Sequence, residues 1–217
     1  MATEACTSIA RKSGYSINNP AAGFVFQNSL SLLSRVMVFV FMPLIGYLAD
    51  TNSLGVSDLY LVILFAPTPL LLFMVYFYRF KLETLVAILL FRINKHGTFF
   101  KKTNEQVRIK KNKKYILKNF KKLYVSFTLA YVPFYLAWPI TVTLMTEFND
   151  YRATILGFSS IFNGINTIFI TVFLDPKLTQ LGKYTNIINS LYSDLLILRV
   201  LSALISLFLI MLFVLVV

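Results

Sequence analysis

The chain has 217 residues, of which 57% are apolar, 16% aromatic and only 14% charged, with a formal net charge of +12. A soluble domain carries about a quarter charged residues, and here the apolar residues fall in long blocks, so the composition points to a membrane protein and away from a soluble or nucleic-acid-binding module. One cysteine, Cys6, and one histidine, His96, leave no internal disulfide and too few partners for a zinc site or a Ser-His-Asp triad, so no metal and no cofactor is expected.

The expected fold is all-α: a single polytopic membrane domain over 1–217 with about five transmembrane helices and a basic cytoplasmic loop. The spans are read at 22–49, 59–78, 123–146, 153–174 and 195–217, each near the roughly 20 residues needed to cross. Residues 1–20 are polar and small rather than an apolar core with a cleavage site, so no cleavable signal peptide is expected. Arg11 and Lys12 fall on the cytoplasmic side of the first span.

The first span contains "NSLSLLSRVMVFVFMPLIG" (28–46), with Arg35 set in hydrocarbon-like sequence. An isolated cation there costs about 2.5–3.5 kcal/mol on insertion scales. Gln27, Asn28, Ser31, Ser34 and Arg35 recur at spacings of three and four and share a helix face, opposite Phe26, Leu30, Leu33 and Met37. One side suits lipid and the other something polar. The 50–58 turn, with Asp50 and Asp58, is placed outside.

In the second span "FAPTPLLLF" (65–73) is expected to break the helix, because Pro67 and Pro69 lack donors. The following loop, 79–122, sits in a stretch (78–122) that holds 14 of the 21 Lys and Arg residues, with Glu83 and Glu105 the only acids. The positive-inside rule places it in the cytoplasm. Within it "KLETLVAILLFRI" (81–93) reads as a helix lying in the membrane interface. "RIKKNKKYILKNFKK" (108–122) interleaves bases with Tyr115, Ile116, Leu117 and Phe120. It serves as a topology anchor or attracts anionic phospholipid, at about 1 kcal/mol per charge.

In the third span "YVPFYLAWPIT" (131–141) is a second expected break. The turn at 147–152 is outside, and Arg152 either marks that interface or faces a groove. The fourth span carries Ser159, Ser160, Asn163, Asn166, Thr167 and Thr171 near helical spacing, with Gly157 and Gly164 for close helix approach. Asp175-Pro176 is read as its cytoplasmic end, followed by a loop over 175–194. In the fifth span Arg199, Ser202 and Ser206 make a third polar stripe, where Arg199 either faces inward or snorkels to headgroups.

All nine acids are read as lying in loops or near span ends, which disfavours a carboxylate proton relay. Arginines beside amide-rich faces suit an anion, since the guanidinium fork binds phosphate oxygens in pairs. The stripes of spans one, four and five are therefore expected to converge on one cavity. The candidate binding residues are Arg35, Asn28, Ser31, Asn163, Asn166, Arg152 and Arg199.

"FVFQNSLSLLSRVMVFVFMPLIG" (24–46) and "YRATILGFSSIFNGINTIFITVFLDPKL" (151–178) resemble the best-marked stretches of the bacterial Amj-type lipid II flippases. The matching positions are Ser29, Leu30, Ser34, Arg35, Pro43 and Leu44, then Tyr151, Arg152, Ala153, Thr154, Asn163, Gly164, Asp175 and Pro176. Family members carry a further apolar segment before the position matching "TSIARKSG" (7–14), so the resemblance implies that Met1 falls inside what would be the end of that helix. The resemblance implies a multi-pass protein of the bacterial cytoplasmic membrane that moves an undecaprenyl-diphosphate-linked sugar to the outer leaflet for cell-wall or surface-polysaccharide synthesis. In that setting Arg35 would hold the diphosphate, and Asn28, Asn163 and Asn166 the sugar hydroxyls. Two other classes stay open: a non-transporting membrane scaffold subunit, and a membrane glycosyl- or phosphotransferase, for which no clustered acidic motif is present.

Overall fold

The computed structural model describes residues 1–51, 62, 65–98, 101 and 120–216. Most of the expected outer turn at 50–58 and the basic segment 108–119 lie outside them. Every regular element among the described residues is helical. Among the described residues three helices, Lys121–Glu147, Arg152–Leu181 and Ile187–Phe213, are long and apolar enough to cross a membrane.

In chain order the helices are α1 (Ala2–Ser16), α2 (Pro20–Asp50), α3 (Pro67–Phe77), α4 (Arg79–His96), α5 (Lys121–Glu147), α6 (Arg152–Leu181) and α7 (Thr185–Val216). The chain divides into two compact units. The first takes 1–34, 71–121 and 177–197, and the second takes 35–70, 122–176 and 198–217.

In the first unit, α1 is buried almost all round from Thr7 to Tyr15. Its residues are small, which lets backbones approach. A Cβ on Gly14 would stand 2.6 Å from the Gly23 Cα, so the α1 and α2 backbones meet with no room for a side chain. The link between them is tight. Asn18 adopts a left-handed conformation (φ 57°), which asparagine tolerates better than most residues. Asn19 then caps α2, its Oδ1 accepting from the Ala22 N–H at 3.1 Å, and Pro20 takes the first helical position, where no donor is needed.

Helix α4 is the expected helix of the basic loop, ended by Gly97 at φ 68°, whose N–H donates to the Ile93 carbonyl. It does not simply lie on a membrane surface. Glu83, Ala87 and Leu90, spaced at one helix face, are buried, and α4 packs along α1.

The second unit has an apolar cluster of Ile45, Val142, Met145 and Ile155, flanked by Trp138, Leu144 and Leu156. Phe41 meets Trp138 edge-on at 5.5 Å. The expected break at 131–141 is absent, and α5 runs through Pro133 and Pro139. Hydroxyls take carbonyls around the prolines: Thr141 donates to Ala137 O at 2.6 Å and Thr143 to Pro139 O at 3.0 Å. The other expected break is present, since a turn at Ala66 precedes Pro67, where α3 begins.

The fourth span does not end at Asp175-Pro176. A single π turn over Ile170–Leu174, in which the Asp175 N–H donates to the Ile170 carbonyl, widens the helix just before the proline. That register change absorbs the donor that Pro176 lacks, and α6 continues to Leu181. Nor is 175–194 a loop. After a turn at 182–184, α7 starts at Thr185, because Ile188, Leu191, Tyr192 and Leu195 repeat at helical spacing and are buried.

The tight α1–α2 contact sets a stability test. Gly14→Ala is expected to lower the stability of the full chain in detergent by about 1–3 kcal/mol, because backbone and not a flexible side chain must move. Gly157→Ala, with nothing within 4 Å of the added Cβ, is expected to be neutral or slightly stabilising. Equal thermal midpoints for the two variants would show that the crossing has slack.

Candidate functional site

The site begins with two neighbouring cations on a helix of small residues. Arg11 and Lys12 leave α1 about 100° apart, so they meet different elements. Both are buried, with Arg11 only 3% exposed. A buried cation is costly unless it is paired and hydrogen-bonded, so both need partners from neighbouring helices.

Lys12 is met by Glu83 of α4. Its Nζ lies 2.8 Å from Glu83 Oε2 and donates to Ser193 Oγ of α7 at 3.1 Å. The other carboxylate oxygen, Oε1, accepts from Ser16 at 2.9 Å, and Ser13 donates to the Glu83 backbone carbonyl at 3.2 Å. The Phe80 ring covers the ammonium at 5.6 Å. Arg11 donates to Thr179 Oγ1 at 2.7 Å and to Gln27 Oε1 at 3.4 Å, with its guanidinium carbon 5.2 Å from the Phe24 ring centroid. Tyr15 closes the group, stacked on Tyr192 at 6.2 Å and seated over Gly182, where a Cβ would come within 2.8 Å of the ring.

Glu83, read as an acid of the basic loop near a span end, is 2% exposed in a helix–helix contact. Its burial was not anticipated, because "KLETLVAILLFRI" was taken as a helix lying in the membrane interface. Two signals pointed the other way. Cys6, Ala10 and Gly14 are small residues at intervals of four, a packing face. Ala87 stands one turn from Glu83 on the same face, leaving space for a partner helix.

The candidate residues named from sequence are placed as follows. Arg35 is at the midpoint of α2, 15 residues from each end, or about 22 Å along the axis. Its side chain is exposed, as is that of Asn28, while Ser31 is half-buried. Asn163 and Arg152 are half-buried, and Asn166 is buried with its Oδ1 enclosed. The Thr167 hydroxyl turns back to the Asn163 carbonyl at 2.8 Å.

Arg199 does not snorkel, and it is 3% exposed. It donates to the Tyr131 hydroxyl of α5 at 2.6 Å and lies 4.3 Å and 5.8 Å from the Tyr131 and Phe127 ring centroids. One turn pair further on, Ser206 donates to the Val132 carbonyl at 3.1 Å. The third polar stripe is thus used within the second unit as a seam between α7 and α5. Tyr131 and Val132 were missed as its partners because aromatic and aliphatic positions on α5 carry no polar periodicity.

Among the described residues no group of three or more His, Cys, Asp or Glu side chains comes together in a way that could hold a metal ion. What the geometry offers chemically is hydrogen-bond donation from buried cations and hydroxyls.

The ion pair gives a direct stability test. Glu83→Leu leaves the Lys12 ammonium buried without its carboxylate and is expected to lose about 3–5 kcal/mol. Adding Lys12→Met is expected to restore much of that loss, so the double variant unfolds at higher denaturant in detergent than Glu83→Leu alone. Additive losses would show that the two side chains do not interact.

No family model, curated protein or solved structure matches the chain.

Proposed function

We propose that the chain is a multi-pass protein of the bacterial cytoplasmic membrane, with about five spans and the basic 79–122 loop inside, that carries an undecaprenyl-diphosphate-linked sugar such as lipid II to the outer leaflet. One observation carries this reading. Arg35 stands exposed at the midpoint of the apolar helix α2, with Asn28 and Ser31 on the same face, and a guanidinium fork beside amide and hydroxyl groups suits a phosphate anion.

The cargo chemistry fits. A diphosphate and its sugars must cross a core that rejects them, and arginine, amide and hydroxyl groups replace the water they lose. The polyprenyl tail can remain in lipid beside the exposed apolar side of α6, where Phe158, Ile161, Ile165 and Ile168 stand outward. An anion leaving a negative interior gains roughly 2.3 kcal/mol per charge per 100 mV, which supplies a direction. The resemblance of 24–46 and 151–178 to the Amj-type flippases supports the same cargo.

Arg35 is the sharpest test because its exposed side chain separates function from packing. Its removal is expected to change stability by no more than about 0.5 kcal/mol. Loss of a charged hydrogen bond to the diphosphate is worth about 1.5–3 kcal/mol, a ten- to hundredfold drop in rate. In vesicles holding the full chain, labelled sugar-diphosphate lipid should move and a labelled phosphatidylcholine should not. Arg35→Ala should slow the transfer by that factor per folded molecule, with Arg35→Lys in between because it keeps charge but loses the fork. Transfer by Arg35→Ala at the unmutated rate would remove Arg35 from the cargo path.

A further inference from the structure

Gly157 and Gly164 of α6 are the expected points of close helix approach, yet a Cβ added to either would meet nothing within 4 Å. Glycine inside a helix is less stable than alanine. Packing therefore gives no reason for Gly164, and the open space beside it asks for an occupant.

The surroundings of that space follow from where α2 and α6 touch. Within the second unit, a Cβ on Gly46 of α2 would stand 3.5 Å from Leu156 Cδ1 of α6. In the first unit Arg11 joins Gln27 of α2 to Thr179 of α6, so the two helices run in opposite directions. Residues about three turns apart return to nearly the same helix face. Arg35 is about three turns before Gly46, and Thr167 about three turns after Leu156, so the two stand level on the faces that meet at the contact. At that level the faces are open. Arg35 is exposed, and Asn163, Gly164 and Thr167 are half-buried. The Thr167 hydroxyl donates to the Asn163 carbonyl of its own helix at 2.8 Å, and its oxygen can still accept. Next to it Asn166 is 5% exposed, with its Oδ1 enclosed and without a hydrogen-bond partner among the described residues. An enclosed acceptor of this kind points to a donor from outside the chain.

We propose that Gly164 is the specificity-determining residue of the site that Arg35 begins, and that it keeps open the room for the sugar of a sugar-diphosphate lipid. This rests on the reading of the protein as a carrier of such lipids. The diphosphate oxygens take the guanidinium fork of Arg35 from the α2 side. The sugar ring lies against bare helix backbone at Gly164, where a glycine permits close approach. Asn163 offers a donor and an acceptor and Thr167 an acceptor, which matches hydroxyl groups that both give and take hydrogen bonds. Ile161, Ile165 and Ile168 are exposed on the neighbouring side of α6, so the polyprenyl tail stays in lipid. No covalent bond is made or broken.

The experiment compares the affinity of the full chain in detergent for farnesyl diphosphate and for the same diphosphate carrying a disaccharide. Gly164→Leu fills the space without displacing an atom within 4 Å, so its thermal midpoint is expected at or above that of the unmutated chain. Its preference for the sugar-bearing lipid is expected to fall by about tenfold or more. Arg35→Ala is expected to weaken both ligands by about ten- to hundredfold. Should Gly164→Leu fail to fold, Thr167→Val, which keeps the shape and removes a hydroxyl, is expected to lower the same preference several-fold.

A loss of preference with the thermal midpoint kept supports the assignment. Unchanged preference in both Gly164→Leu and Thr167→Val overturns it, and the transport reading stands where Arg35→Ala still weakens both ligands. Equal weakening of both ligands by Gly164→Leu, with a lowered thermal midpoint, makes Gly164 a packing glycine and also overturns the assignment. Absence of binding of either lipid by the unmutated chain overturns the assignment and the transport reading together.

Discussion

A lysine on a helix of small residues cannot be buried unless another element delivers a counter-charge, and in the first unit that element is α4. Glu83 fixes which face of α4 turns inward, since the carboxylate, Ala87 and Leu90 share it. The two helices approach closely there, since the short Ser13 side chain reaches the Glu83 backbone carbonyl at 3.2 Å, which requires small residues around it. Ser13, Ser16, Gly14 and Ala10 supply that smallness. The same absence of bulk lets α2 cross at Gly23 and lets Tyr15 rest over Gly182. Composition, helix approach and charge burial are thus one constraint seen at three levels.

The second unit meets the same difficulty differently. Arg199 lies among apolar helices, with a phenol and two ring faces among its partners. The planar guanidinium suits this, because it is weakly hydrated and stacks on aromatics, whereas an ammonium is a strongly hydrated point charge. A lysine at 199 and an arginine at 12 would each be poorly matched to their surroundings. The type of cation thus matches neighbours in each unit: a carboxylate and a hydroxyl for Lys12, aromatic faces for Arg199.

The helical class and the three long apolar helices were legible in the sequence because their signal is local: a run of apolar residues declares itself without knowledge of its neighbours. Helix α4 was legible as a helix for the same reason, but its partner was not, since Glu83 reads identically whether it faces water or Lys12. The ends of α6 and α7 were misread because proline and polar residues were taken as stops. A π turn let α6 pass Pro176, and the buried face of Ile188, Leu191 and Leu195 drew "TNIINSLYSD" into α7. Continuity of α5 through Pro133 and Pro139 escaped because proline was again read as a stop. In α7 a tertiary contact supplied what local rules counted as missing, and in α6 a change of helix register did.

Arg35 remains the instructive contrast. It has the same residue type as Arg199 and a similar apolar setting in sequence, yet it is exposed at the centre of a 31-residue helix. A guanidinium about 22 Å from either helix end is beyond comfortable snorkelling, so in a membrane its surroundings at that depth must be polar for at least part of the protein's working cycle. Arg199 satisfies that demand from within its own unit, through Tyr131. Arg35 has no such enclosure, and the amide and hydroxyl side chains of Asn28 and Ser31 precede it on the same face, so the polar character of that face continues over two turns. Burial thus separates these cations: Lys12 and Arg199 are enclosed by helix contacts, and Arg35 is open.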